Sequence, residues 1–370
     1  MRFKSIDSLR GIAAIAVVFF HVWGRFYPDG STQKPPWVVP HGLGPHTAFF
    51  GFGYLGVNLF FVLSGLCIHL PQAIKFHATG SDQLRLKSFA KRRFFRLYPA
   101  YFASLVWTSL VLLAIPTFVA FAKHEPLHFA AVADVRSFVA SAFFAQQIYP
   151  PAFNFNGVYW TLVFETQFYL LYPVLLWLCR RAGFMWPLLA LLGCEIFFTV
   201  HPVSLKAFVL TRYFEWFLGM LLAERIASRK PINMPAFVFP VLLAMAVGCV
   251  FTAATLPYRD ILASTAFACL LAVCLEREAR MPWLTRPWLV AVGVFSYSVY
   301  LTHVPMNDLF WSTVRLIRTR VPALPQATEM VSVPVIFVFG YLFFRYFERP
   351  FLGAKKKEGD LPAGPREQAW

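Results

Sequence analysis

The chain of 370 residues has 34 Lys and Arg against 18 Asp and Glu, a net charge of +16, and 58% of its residues are hydrophobic. This apolar share exceeds the roughly 45–50% of a soluble domain, so the composition excludes an ordinary soluble protein. The cations cluster at the ends of apolar runs, as they do beside membrane helices, which argues against a nucleic-acid-binding protein. The six Cys show no metal-type spacing, and no metal is predicted.

The apolar runs predict an all-α, polytopic membrane bundle. A span needs about 20 mostly apolar residues, and ten runs approach that length. They lie at residues 8–26, 49–70, 98–121, 158–178, 184–200, 207–223, 236–254, 260–275, 289–311 and 331–347. Residues 127–148 are a poorer candidate because Asp134 and Arg136 interrupt them, and we interpret them as a partly buried or re-entrant helix. If they spanned the membrane, every later segment would be inverted.

The distribution of Lys and Arg predicts the orientation. With the N-terminus in the cytoplasm, most of these residues fall in the inner loops and the tail, as the positive-inside rule requires. The outer cluster Arg315, Arg318 and Arg320 is the exception. We therefore expect ten spans, both termini in the cytoplasm, one membrane domain at 1–352 and a short disordered tail at 353–370, which is polar and contains Pro and Gly.

The first span carries two ionisable residues, Arg10 and His21, eleven residues apart. At 3.6 residues per turn, both side chains lie on one helix face, about 16 Å apart along the axis. Polar residues inside a membrane are costly and functional by default. The alternative for any single one is a hydrogen bond or ion pair that only holds helices together.

Two later segments place more polar groups at membrane depth. In "GVFSYSVYLTHVPMND", a continuous polar face has members at positions i, i+4, i+7 and i+11: Ser296, Tyr300, His303 and Asn307. In "VYWTLVFETQFYLLYP", Glu165 precedes Tyr169 by one helical turn. A His and a Glu on separate helices around an apolar cavity could form a base with an orienting acid.

The stretch "QLRLKSFAKRRFFRLYPAYF" has Arg85, Ser88, Arg92 and Arg96 on one face of a helix. It predicts a basic amphipathic helix at the inner interface that leads into the third span. Two interpretations explain such a run equally well: attraction to anionic lipid, and a phosphate clamp formed by arginine side chains.

Seven blocks in order resemble the integral-membrane acyltransferase family 3, which includes O-antigen and exopolysaccharide O-acetyltransferases. They are "SLRGIAAIAVVFFHV", "GYLGVNLFFVLSGLCI", "RRFFRLYPAYF", "WTLVFETQFYLLYP", "RYFEWFLGMLLA", "SYSVYLTH" and "FERPF". The resemblance extends from residue 5 to residue 351 and implies transfer of an acyl group, usually acetyl, from cytoplasmic acetyl-CoA or another acyl-CoA to a sugar hydroxyl. It implies a bacterial cytoplasmic membrane, with the bilayer, the acyl-CoA and a glycan as partners.

The resemblance also suggests roles for individual residues. His21 matches the essential His of the family and Arg10 its paired Arg, while Arg93 and Arg96 match its cytoplasmic Arg block. Glu165, Tyr300 and His303 match later conserved positions of the family pattern. Asn58 stands where the family often has Asp, and an amide cannot act as a charged partner or accept a proton.

These matches lead to a mechanistic hypothesis. CoA phosphates engage Arg92, Arg93 and Arg96 at the inner face, and Arg10 holds the pantetheine or a phosphate oxygen. His21 is the general base on the acceptor hydroxyl. Glu165 orients the imidazole or stabilises its cation, and Tyr300 and Asn58 donate to the developing oxyanion.

Two alternatives remain open at this stage. A secondary transporter would use the same polar groups as a substrate or proton path, and it would show internal repeats with paired broken helices. An acyltransferase with a macrolide or lipid acceptor would keep the chemistry and change only the acceptor.

Overall fold

The computed structural model describes residues 3–27, 38–39, 44–123, 135–146, 156–201, 209–252, 254–324 and 326–352. These residues form helices and no strand, so the all-α prediction is confirmed for this part of the chain. The α-helices are α1 (Lys4–Gly24), α2 (Gly56–Thr79), α3 (Leu86–Lys123), α4 (Val135–Ala142), α5 (Trp160–Ala182), α6 (Met185–Val200), α7 (Tyr213–Ala227), α8 (Val238–Gly248), α9 (Arg259–Glu276), α10 (Pro287–Val294), α11 (Ser296–Arg320), α12 (Ser332–Phe343) and α13 (Arg349–Leu352). A 3₁₀ helix, Pro45–Leu55, leads into α2, and a π-helix, Phe344–Glu348, joins α12 to α13.

Helices long and apolar enough to cross a membrane confirm an integral membrane protein. Among the described residues, five segments qualify: Lys4–Gly24, Pro45–Thr79, Leu86–Ile115, Gly157–Ala182 and Thr328–Leu352. The pair α10 and α11, bent by 70° at Phe295, qualifies as a sixth if it is one broken span. Every one of the ten predicted runs overlaps an α-helix, but ten spans stay a prediction, because several of these helices are shorter than a bilayer crossing requires.

Two compact units divide the chain, and three of their five boundaries fall inside α1, α3 and α5. The first unit comprises Met1–Ala13, Tyr54–Ala90 and Thr161–Val294, and the second comprises Ala14–Gly53, Lys91–Trp160 and Phe295–Trp370. The prediction of one membrane domain over 1–352 concerns both units together and stays a prediction. The predicted tail at 353–370 lies outside the described residues.

The first unit is built around the close pairing of α2 and α7. A Cβ added to Gly65 would lie 1.9 Å from the Trp216 carbonyl oxygen, and one added to Gly219 would lie 2.0 Å from the Val62 carbonyl oxygen. Such glycines let two backbones touch, which is how membrane helices associate without a hydrophobic driving force between them. Apolar side chains of the first part of α1, and of α2, α7 and α9, complete this core.

The second unit packs the end of α1 against α11 and α12. Its apolar core comprises Val18, Val22, Phe26, Val299, Met306 and Ile336. This apolar packing brings one face of α1 against α11, so the polar residues of α1 and α11 that lie on the contacting faces come together. This packing positions the site described below.

Two further sequence predictions concern α3 and α4. The predicted basic helix is the beginning of α3, continuous with the following span; there Phe89 and Leu97 are buried, whereas Leu86 and Ala90 are exposed. Of residues 127–148, the structure describes only 135–146, which include the short α4. The rest of that segment, and with it the choice between a span and a re-entrant helix, falls outside the described residues.

Candidate functional site

The second unit brings two imidazoles of α1 and α11 together. Nε2 of His303 lies 3.3 Å from Nδ1 of His21, with ring centroids 4.8 Å apart and planes inclined by 70°. His303 is fully buried, whereas His21 is partly exposed. The structure therefore joins two of the predicted site residues in one direct contact.

The neighbours of the two rings determine where their hydrogens lie. Nδ1 of His303 faces the carbonyl oxygens of Tyr300 at 2.8 Å and Val299 at 3.3 Å. Carbonyls only accept, so this nitrogen carries the hydrogen, and Nε2 of the neutral ring is an acceptor. Nδ1 of His21 then faces two acceptors, the Val17 carbonyl at 2.9 Å and His303 Nε2, and must donate. The lone pair of a neutral His21 is left on Nε2, which is the atom that can take a proton.

Asn307 supports this pair from the next turn of α11. Its Nδ2 donates to the backbone carbonyl oxygen of His21 over 3.2 Å. Asn307 is itself buried. One helix face of α11 thus fixes both the ring and the backbone of His21.

Tyr300 lies beside the pair without contacting His21 through its hydroxyl. Its ring centroid is 5.7 Å from that of His303, and its hydroxyl donates to the Val158 carbonyl oxygen over 3.0 Å. The oxyanion role predicted for Tyr300 stays a prediction, and it would require this hydroxyl to leave Val158.

Glu165 belongs to the first unit, in a chain of hydrogen bonds on α2, α5 and α7. Its Oε1 accepts from the Ser64 hydroxyl over 3.2 Å and from the hydroxyl of Tyr169. Ser64 accepts in turn from the Trp216 indole over 3.2 Å. These partners hold the carboxylate in place, and its role as the partner of the His21 imidazole stays a prediction.

Asn58, also in the first unit, lies in a buried charged network. Its amide nitrogen donates to Ser264 over 3.1 Å and to a carboxylate oxygen of Glu215 over 3.4 Å. Arg212 bridges Glu215 and Asp260, with both distances at 2.7 Å. The amide replaces an acid where Glu215 and Asp260 already supply negative charge. A donor role toward an oxyanion is again a prediction, since this amide already faces three acceptors, the third being the Asp260 carbonyl oxygen at 3.4 Å.

The four predicted cofactor-binding arginines differ in their surroundings. Arg10 lies 3.7 Å from the Asp7 carboxylate in the first unit. Arg96 forms an ion pair with the buried Glu348, whose second oxygen accepts from Ser298 over 2.6 Å. Arg92 is exposed and Arg93 half-buried on α3. A phosphate would therefore compete with Glu348 for Arg96.

Sequence reasoning did not assign a role to Asn307 or Arg25. Asn307 is one turn after His303 on the polar face of α11, and that spacing was the available signal. Arg25 follows His21 by one turn and forms an ion pair with Asp308. Its position at the end of an apolar run concealed it among the ordinary flanking cations.

One comparison with known proteins covers nearly the whole chain. A family model described as an acyltransferase domain matches residues 3–347. The chain belongs to this acyltransferase family. The resemblance to membrane acyltransferase family 3 is thereby confirmed.

Named relatives cover the chain at low identity. A protein of Staphylococcus aureus strain COL, named as a candidate O-acetyltransferase, is 24% identical over 96% of this chain and 57% of its own length. The peptidoglycan O-acetyltransferase OatA of Listeria monocytogenes is 25% identical over 94% of this chain and 55% of its own length. The chain thus spans little more than half the length of these relatives. No solved structure matches it.

Proposed function

We propose that this acyltransferase is a membrane O-acetyltransferase that moves an acetyl group from cytoplasmic acyl-CoA to a hydroxyl of a cell-surface glycan. The contact between His21 and His303 carries the proposal, because it leaves the Nε2 lone pair of a partly exposed imidazole available, in a helix long and apolar enough to span the membrane. The O-acetyltransferase names of the relatives support the acetyl group and the oxygen acceptor.

The chemistry requires one proton to move twice. Nε2 of His21 takes the proton of the acceptor hydroxyl while the hydroxyl oxygen attacks the thioester carbonyl carbon. The new C–O bond forms, the C–S bond breaks, and the same nitrogen returns the proton to the leaving sulfur. The acceptor nitrogen of His303 stabilises the intermediate imidazolium through the Nδ1 hydrogen of His21, as the orienting group of a catalytic triad does.

Access to both substrates is the second requirement. Arg92 and Arg93 are suited to hold CoA phosphates because guanidinium forks match phosphate geometry. Arg10 stands near the beginning of α1 and His21 near its end, so a donor that enters at the first could reach the second along the helix. Both assignments belong to the proposal, as does the cytoplasmic position of the N-terminus.

The test is a complementation experiment in a host that lacks the gene. O-acetyl ester of the surface glycan is measured as acetate released by alkali, with wild type, His21→Ala and the control His201→Ala at equal membrane abundance. His201 is an exposed residue after the end of α6, so its variant should restore the ester. We expect no ester with His21→Ala. Equal restoration by all three would overturn the catalytic role of His21.

The same experiment separates the enzyme from a transporter. A transporter would be expected to carry broken helices in corresponding halves, and the described residues contain one strongly bent pair, α10 and α11. Unchanged ester content together with altered export of the glycan would favour transport. An ester found on a lipid or a macrolide would keep the enzyme and change its acceptor.

A further inference from the structure

Two arginines lie against one tryptophan beyond the imidazole pair in the second unit. Arg25 is four residues after His21, and its guanidinium carbon lies 5.5 Å from the centroid of the Trp311 ring. The guanidinium carbon of Arg315 lies 4.5 Å from the same ring. Cation–π contacts of this kind hold cations in place without neutralising them.

Two carboxylates lie among these arginines and do not balance them. Asp308 pairs with Arg25, and Glu329 pairs with Nη1 of Arg318 over 3.1 Å. Arg315 has no ion pair with any described residue, although it lies within electrostatic reach of Glu329. We call these side chains the arginine–tryptophan cluster: Arg25, Asp308, Trp311, Arg315, Arg318 and Glu329. It has one cation more than it has anions, and Arg320 adds another nearby.

Arg318 has a free hydrogen-bonding edge. Its Nε and one terminal nitrogen, Nη2, are shielded from solvent and have no hydrogen-bond partner among the described residues. Shielded guanidinium donors are costly when unpaired, so such a group points to a partner that comes from elsewhere. Nε and Nη2 together form the edge that binds a carboxylate or phosphate through two parallel hydrogen bonds.

The location is unexpected for structural cations. With the N-terminus in the cytoplasm, the end of α1 and the end of α11 lie on the outer side, where the positive-inside rule disfavours arginine. Arg318 follows His303 by 15 residues of one helix, which is about 22 Å along the axis. A molecule that reaches from this guanidinium to His21 must be longer than a single sugar ring.

We propose that the arginine–tryptophan cluster binds a carboxylate or phosphate group carried by the acceptor, which makes the acceptor an anionic oligosaccharide rather than a neutral one. The inference rests on the proposed function, and it names the substrate class for that site. The reacting hydroxyl lies at His21 while an oxyanion several sugar units away lies at Arg318.

Direct binding tests this without requiring turnover. The full chain in nanodiscs of zwitterionic lipid is titrated with three labelled probes: a tetragalacturonate, its carboxyl-reduced neutral counterpart, and a phosphorylated tetrasaccharide. We expect the wild type to bind one or both anionic probes and to bind the neutral one at least tenfold more weakly. Arg318→Gln should lose about tenfold or more in affinity for the anionic probe, the effect of a bidentate charged contact.

Matched variants separate the guanidinium edge from charge and folding. Arg320→Gln removes a nearby exposed charge and should leave the affinity within about twofold, while Arg318→Lys keeps the charge and should still lose most of the affinity. Arg318→Gln combined with Glu329→Gln avoids leaving Glu329 unpaired and should bind as poorly as the single variant.

The other outcomes either overturn the proposal or separate it from the proposed function. Equal affinity for all three probes, or equal losses in Arg318→Gln and Arg320→Gln, would refute a specific oxyanion site. Nanodiscs that contain phosphatidylglycerol test the lipid alternative: if Arg318→Gln reduces retained phosphatidylglycerol and leaves oligosaccharide binding unchanged, the cluster is a headgroup site. Selective binding of an anionic probe by a chain that restores no ester in cells would instead contradict the proposed function and leave this site standing.

Discussion

His303 accepts through Nε2 the hydrogen that His21 carries on Nδ1, at 3.3 Å between the two nitrogens. The proposed function makes these two residues, 282 positions apart in the chain, a base and its orienting group. No carboxylate is needed for this arrangement, because the two carbonyls that face Nδ1 of His303 fix its hydrogen. The pair follows from the packing of α1 on α11.

His303→Phe tests this orienting role. The ring volume is kept while one of the two acceptors that face the His21 Nδ1 hydrogen is lost and the Val17 carbonyl remains. The imidazolium formed during transfer therefore loses the support of the second ring. We expect kcat to fall about 100-fold, within the range typical of general-base catalysis, with the KM for acyl-CoA unchanged. The measurement is the kinetics of acetyl transfer by protein in nanodiscs.

The control for that variant is Asn307→Leu, which removes the hydrogen bond to the His21 backbone but leaves both rings in place. Its kcat should fall less than that of His303→Phe. A rise in KM with unchanged kcat for His303→Phe would show that the residue contributes to binding rather than to the proton transfer.

Arg96 and Arg92 should respond differently to loss of charge. Arg96→Gln leaves Glu348, 2% exposed, without its cationic partner, and breaking a buried pair in this way costs about 3–5 kcal/mol. Arg92→Gln affects an exposed side chain, so we expect unchanged thermal stability and a several-fold higher KM for acyl-CoA. Unfolding in detergent, followed by tryptophan fluorescence, measures the first effect, and initial rates measure the second.

The double variant Arg96→Gln with Glu348→Gln is the check on this reasoning. It removes both charges and should recover most of the lost stability. If it recovered the stability and still showed a raised KM for acyl-CoA, Arg96 would contact the donor as well as Glu348. If the single variant were as stable as the wild type, the ion pair would not be structural.

The sequence predicted the helices well, because long apolar runs bounded by cations leave few alternatives in a membrane. It also identified His21 and His303 as members of two polar faces, since a 3.6-residue period is visible in the letters alone. It could not predict that those faces meet, that Arg96 is already paired with Glu348, or that Asn58 lies beside Glu215. Contacts between distant residues depend on how helices pack, and periodicity within one helix carries no information about its neighbour.

Asn58→Asp restores the residue type frequent in the family, and we expect it to destabilise this chain. The new carboxylate would lie where an amide now donates to Glu215 over 3.4 Å, next to a second acid, Asp260. Like charges at such distances in a buried site repel strongly. The expected result is a lower unfolding temperature, with rescue when Glu215→Gln is added. A stable and fully active Asn58→Asp variant would contradict the placement of Asn58 in this network.

Gly65→Ala should disrupt the close contact between α2 and α7 in the first unit. The added methyl group would lie 1.9 Å from the Trp216 carbonyl oxygen, which is backbone and cannot rotate away. The helices must separate, and we expect a loss of about 1–3 kcal/mol, the usual cost of overpacking. Gly193→Ala is the matched control, because α6 leaves open space at that position and Ala has the higher helix propensity. Thermal unfolding of both variants in the same detergent measures the difference.

The same variant also tests Glu165. Ser64 and Trp216 lie beside this contact, and Ser64 donates to Glu165, so activity should fall together with stability in Gly65→Ala if that carboxylate serves the reaction. Loss of stability with full activity below the unfolding temperature would remove Glu165 from the mechanism.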